Sequence, residues 1–146
     1  MIEPVLIATD GSEAAASAER YGVALCAGLG ARAAGVSVVE DRCTGGLRSS
    51  AVPVTPPQLD AVEAFLGARA DAACRQLGDR ASEKGVACVA DTLRGIADDL
   101  LVERSKQSDL VVIGRDGEHA AYRTALIGST VDGFLRKTAK PTIVVP

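Results

Sequence analysis

Val5-Leu6-Ile7-Ala8-Thr9-Asp10-Gly11-Ser12 is the stretch that decides the fold of this chain. Four consecutive apolar residues suit a strand covered on both faces, and the Asp-Gly-Ser behind them offers a turn followed by a helix N-cap. Beyond Ser12, Ala14, Ala18, Tyr21 and Leu25 recur at steps of three and four and predict one apolar helix face. Gly28 and Gly30 then stop the helix. The unit is strand, turn, helix.

The same alternation continues outward. Short apolar runs return at residues 36–39, 86–90, 110–113 and 142–145. Between them lie helical patterns. Thr55 and Pro56 start one with Val62, Leu66, Ala70, Ala73 and Leu77 on a single stripe and Gly85 at its end. A shorter one carries Ile96, Leu100 and Leu101, and a last one carries Val131, Phe134 and Leu135 before Pro141. Regular β-α alternation predicts an α/β fold, an open five-stranded parallel sheet with helices on both faces. Ligands of such Rossmann-like sheets bind at the carboxyl ends of the strands. That rule directs attention to residues 9–12, 38–40 and 114 onward. Residues 41–54, with Gly45, Gly46, Ser49 and Ser50, read as a linker.

The 146 residues suit one domain spanning 1–146, with 47% hydrophobic and 24% charged side chains. A formal charge of -3 without long runs of one sign gives no attraction for nucleic acid or anionic lipid. No stretch reaches the roughly 20 apolar residues of a membrane span, and the start lacks the pattern of a secretory signal. A cytoplasmic location is the expectation. Cys26, Cys43, Cys74 and Cys88 are scattered without a CxxC spacing, and His119 is the single histidine, so no metal site is expected. Cys26, Cys74 and Cys88 fall in apolar stretches as small hydrophobes, and Cys43 lies in a polar loop.

The stretch richest in chemistry is Gly114-Arg115-Asp116-Gly117, then ten residues, then Gly128-Ser129-Thr130 opening a helix. Glycines directly after a buried strand admit a ligand close to the backbone. A helix start with Ser and Thr presents amides and hydroxyls to an anion. The same residues fit a strand-ending turn with an ordinary N-cap, and Asp10-Gly11-Ser12 fits either a ribose-binding carboxylate or a plain Asp-Gly turn.

Taken together, four pieces in register resemble the universal stress protein family. They are residues 5–13, residues 109–114, the Gly-Ser behind the glycine loop, and the ending Lys140-Pro141-Thr142-Ile143-Val144-Val145. In the ATP-binding branch of that family the loop reads Gly, two residues, Gly, nine residues, Gly, then Ser or Thr. The resemblance implies that Asp10 contacts the nucleoside, with Thr9 beside it, and that Ala8 and Val38 line the adenine. It implies too that Ile113 and Gly114 approach the ribose and that Gly117, Gly128, Ser129 and Thr130 cradle a triphosphate. Here ten residues, not nine, separate Gly117 from Gly128, and the extra one is expected within residues 118–123, where a surface loop absorbs it at little entropic cost. Asp116 and Glu118 flank the cradle with Arg115 and Arg123 available to offset them.

Other signals fail on context. Gly28-Leu29-Gly30 follows a helix instead of a strand, there is no GxxxxGK[ST], Asp98-Asp99 is expected to face water, and His119 reads as a solvated loop residue. The resulting expectation is a regulatory ATP binder, with magnesium, acting in stress response. It is not an enzyme, or at most is a slow ATPase, and it forms a homodimer through the C-terminal strand. Its alternative is an interaction module of the same fold without nucleotide. An enzyme of a related adenine-nucleotide fold is a third.

Overall fold

The computed structural model describes residues 1–41, 45, 54–117 and 128–146. Among the described residues the elements follow in the order β1 (Val5–Ala8), α1 (Glu13–Leu29), β2 (Ala33–Glu40), α2 (Pro56–Glu83), β3 (Cys88–Gly95), α3 (Ala97–Ser105), β4 (Leu110–Gly114), α4 (Ser129–Lys137) and β5 (Thr142–Val145). The strands form one sheet in the order β3-β2-β1-β4-β5, and every pairing is parallel. Val5 pairs with both Ala33 and Leu110, so β1 sits at the centre. The predicted sheet of five parallel strands is the one observed.

Because successive side chains of a strand point to opposite faces, each strand feeds two cores. Val5, Ile7 and Val112 pack with Ala18, Val23 and Cys26 of α1 and with Leu77 and Ala81 of α2. Leu6, Ala8, Val36, Val111 and Ile113 pack on the other side with Leu101 of α3 and with Val131 and Phe134 of α4. Phe134 and Leu77 are wholly buried, each contributing roughly 2–3 kcal/mol of apolar transfer. The edges are β3 and β5. Ion pairs blunt β3: Arg104 reaches Asp91 at 2.5 Å and Arg94 faces Glu63 at 3.9 Å.

The helix ends behave as their sequences require. Ser12 Oγ accepts from the amide of Ala15 at 3.1 Å, and Gly30 ends α1 with φ +66°, a backbone that other residues rarely adopt. At the start of α2 the Thr55 amide donates to Gln58 Oε1 at 2.9 Å, with Pro56 in the first turn.

Four local expectations need correction. In α1 the buried stripe runs through Ala15, Ala18, Glu19, Gly22 and Cys26, while Tyr21 is exposed. The face is rotated because Glu19, charged, is inside, and because Gly22 lets α1 approach the sheet: a Cβ there would lie 2.8 Å from Ile7 Cδ1. β3 begins at Cys88 and runs to Gly95, past the apolar run, since its polar residues lie on a sheet edge where both faces are only half covered. Leu135 is exposed on α4. Asp98 is buried, since Lys137 Nζ reaches back from α4 to donate to it at 2.9 Å and to Asp99 at 2.8 Å.

Cys26, Cys74 and Cys88 are free thiols, as expected. Burial pushes the Cys26 thiol up to about 11, with the neighbouring Cys88 adding to it, and burial raises Cys74 and Cys88 as well. All three stay protonated and unreactive near neutral pH. Cys43 lies outside the described residues, as do Glu118, His119, Arg123 and the proposed position of the extra loop residue. No described helix is long and apolar enough to cross a membrane.

Candidate functional site

The helices that follow β1 and β4 leave for opposite faces of the sheet, and the two strands are neighbours. Main chains diverging in this way leave a crevice beyond the carboxyl ends. A cavity of about 420 Å³ opens there. Ala8, Thr9, Asp10, Val38, Ile113, Gly114, Gly117, Gly128, Ser129 and Thr130 all line it. The ten residues named from the sequence are therefore brought together in one place.

Asp10 is aimed by its own turn. Its Oδ1 accepts from the Ser12 amide at 2.9 Å, which fixes the carboxylate beside the backbone. Oδ2 looks across to the glycine loop, where a Cβ on Gly117 would lie 3.3 Å away. The Thr9 hydroxyl is committed elsewhere, donating to Glu19 at 2.5 Å and accepting from the Gly11 amide at 3.1 Å. Thr9 thus positions the turn.

Glu19 itself is a buried anion. Arg80 of α2 donates to it from Nε at 2.7 Å, so the carboxylate beneath the cavity floor holds α1, α2 and the β1 turn together. A charge with no solvent exposure is tolerable only with such partners.

The opposite wall is the start of α4. Gly128 is its N-cap, extended at φ -61° and ψ 148°, and its amide donates to the Arg115 carbonyl at 3.0 Å. The Arg115 amide in turn donates to Val145 at 2.7 Å, so the exit of β4, the start of α4 and the end of β5 are fastened to one another. The first-turn amides of α4, which no helix can satisfy internally, border the cavity at Ser129, Thr130 and Val131. Partial positive charge of the helix start collects there.

Asp116 lines the cavity, and its carboxylate is paired with the Arg115 guanidinium at 3.0 and 3.1 Å. That contact answers which cation offsets it among the described residues. Glu40, at the end of the 38–40 stretch singled out from the strand rule, lines the cavity too, whereas Leu66, Arg69, Ala70 and Leu101 were not anticipated as lining residues. Glu40 Oε2 accepts from the Ala97 amide at 3.0 Å and so caps α3, a helix whose N-cap residue, Ile96, has no side-chain acceptor of its own. Leu66 and Ala70 were visible on the α2 stripe, but nothing local to α2 announced that this stripe overhangs the strand ends.

Apolar walls from Ala8, Val36, Val38, Leu101 and Ile113, with amides and a carboxylate at the far side, make a space for a flat ring joined to an anion. Solved structures share this architecture. The universal stress protein UspA from Lactobacillus plantarum superposes with a TM-score of 0.80 at 23% identity, over 99% of this chain and 97% of that one. A universal stress protein from Archaeoglobus fulgidus in complex with dAMP gives 0.66 at 18% identity, covering both chains in full (100%). A family protein from Arabidopsis thaliana with AMP bound gives 0.67 at 12%, over 99% of this chain and 91% of that one. At these identities the likeness is one of fold. Among curated proteins none matches the chain. The model of the universal stress protein family matches residues 1–146 from end to end, and the chain belongs to that family.

Proposed function

We propose that this chain is a single regulatory domain that binds ATP, carrying magnesium, in the cavity beyond the strand ends. The observation that carries the proposal is the meeting of Asp10, the glycine loop and the α4 amides around one space of about 420 Å³. Ala8 and Val38 would flank the adenine, Asp10 would take hydrogen bonds from the nucleoside, and Ile113 and Gly114 would approach the ribose. Gly117, Gly128, Ser129 and Thr130 would hold the phosphates. The residues fit the group, since the glycine at 117 keeps open a place that a side chain would fill. Magnesium would arrive on the phosphates: the described residues include no cluster of three metal-ligating side chains.

The nucleotide's chemistry here is that of an effector. Its occupancy would bias shape or partner choice, and hydrolysis would be slow or absent. Cradle and nucleoside contacts supply affinity without themselves activating an attacking water. The setting we propose is cytoplasmic, in stress response. Isothermal calorimetry with Mg-ATP should give saturable one-to-one binding tighter than about 1 mM, or ~4 kcal/mol. No heat at millimolar ATP would reject the reading and leave an interaction module of the same fold.

We also propose a homodimer built on β5. It is an edge strand, Thr142 to Val145, half-buried along its whole length, and an unpaired edge favours a partner. Sedimentation equilibrium at micromolar concentration should return the dimer mass. The variant Val144→Lys should shift the population to monomer.

A further inference from the structure

The Asp10 side of the cavity rests on a chain of polar groups that begins outside it. Arg80 Nε donates to Glu19 Oε2 at 2.7 Å, Thr9 Oγ1 donates to Glu19 Oε1 at 2.5 Å, and the Gly11 amide donates to Thr9 Oγ1 at 3.1 Å. Thr9 and Asp10 line the cavity, whereas Glu19 and Arg80 are not among its described lining residues, and Glu19 has no solvent exposure. The pair stands behind the wall, out of a ligand's reach.

The direction of each bond follows from its chemistry. A guanidinium only donates and a carboxylate only accepts, so the single Thr9 proton goes to Glu19 and the lone pairs of Oγ1 are left for the Gly11 amide. That amide closes a turn around Asp10, with Gly11 at φ +76°. A second turn overlaps the first, since the Ser12 amide donates to Asp10 Oδ1 at 2.9 Å. Holding Gly11 on Thr9 thus sets the backbone that carries the Asp10 carboxylate. α2 grips this turn twice. Ala73 lies against Gly11, where a Cβ would stand 3.1 Å from Ala73 Cβ, and Arg80, about two helical turns later, reaches it through Glu19 and Thr9.

We propose that Glu19 and Arg80 are positioning residues of the nucleotide site: the pair dictates the direction of the Thr9 hydroxyl bond, and with it the set of the Asp10-Gly11 turn and the affinity for the nucleoside. This role rests on the nucleotide reading above and adds to it a determinant of affinity that lies outside the cavity, on α1 and α2. Glutamine at position 19 reverses the pattern. Its carbonyl must face the Arg80 donor, which turns its NH2 toward Thr9. The Thr9 proton then loses its acceptor, and the NH2 competes with the Gly11 amide for the lone pairs of Oγ1.

The test pairs titration calorimetry of wild type and Glu19→Gln, with Mg-ATP and with adenosine, with hydrogen exchange of the Gly11 amide in the unliganded proteins, after melting curves establish folding. Glu19→Gln should weaken both ligands by the same factor, about fivefold, because Asp10 meets the part they share, and should speed Gly11 exchange at least about fivefold. If Glu19→Gln does not fold, Thr9→Ser and Thr9→Val carry the same two readings: valine, which lacks the hydroxyl, should bind at least about threefold more weakly than serine, which keeps it, and exchange faster at Gly11. Unchanged affinity in a folded variant overturns the proposal and leaves the nucleotide reading in place. So does weaker binding with Gly11 exchange unchanged, which would be a general structural effect. A wild type that binds neither ligand overturns both.

Discussion

Arg80→Leu is expected to cost about 3 kcal/mol of folding stability, read as the shift in a urea unfolding midpoint at unchanged slope. The reason is the Glu19 carboxylate, which has no solvent exposure and two partners, Arg80 at 2.7 Å and the Thr9 hydroxyl at 2.5 Å. Removing the guanidinium leaves a desolvated charge on one hydroxyl. The value belongs at the lower end of the ~3–5 kcal/mol range for broken buried pairs, because the Arg80 side chain retains 27% exposure and water can enter from its side. The double variant Glu19→Gln with Arg80→Leu should recover part of the loss, since a neutral amide is cheaper to leave buried. A single variant within about 1 kcal/mol of wild type would mean that Glu19 finds another partner.

Gly117→Val should abolish nucleotide binding while the domain stays folded. Gly117 does not use the left-handed backbone region, so valine meets no backbone strain there. Among the described residues its Cβ would meet only the Asp10 carboxylate, at 3.3 Å, an acceptor that can move by a few tenths of an ångström. The rest of the valine enters the cavity between Asp10 and the α4 amides. Loss of two charge-assisted hydrogen bonds, roughly 1.5–3 kcal/mol each, predicts at least a hundredfold weaker affinity for Mg-ATP. Calorimetry and a melting curve on one preparation separate the two effects. Binding within threefold of wild type would show that phosphates do not pass Gly117.

The sheet was legible because each buried strand announces itself as an apolar run, and because strict alternation with helices leaves few topologies. The site was legible for a related reason. Residues just after strands β1 and β4 converge wherever a parallel sheet reverses its winding, so Asp10, Gly114 and Gly117 could be placed without any contact being known. What escaped was whatever depends on a partner remote in sequence. Glu19 lies off the apolar stripe that the sequence marks on α1, and its burial follows only once Arg80, from another helix, is seen to meet it. Asp98 reads as solvated until Lys137 arrives from α4. Arg69 sits in an ordinary amphipathic pattern, and only the length of α2 against its strands carries it over the cavity. Cys88 and the polar remainder of β3 misled for the opposite reason, since an edge strand need not be apolar throughout.

The cavity walls come from segments near both ends of the polypeptide, from Ala8–Asp10 at one extreme to Gly128–Val131 at the other, with α2 between. Anything lodged there acts as a non-covalent staple between the first and last turns of the chain, and no fragment can hold it. The unfolded ensemble forfeits that contact altogether, so at a hundredfold excess over its dissociation constant a bound molecule adds about 2.7 kcal/mol to the whole fold. On the proposed reading, the lifetime of this protein against proteolysis would be set in part by the concentration of nucleotide.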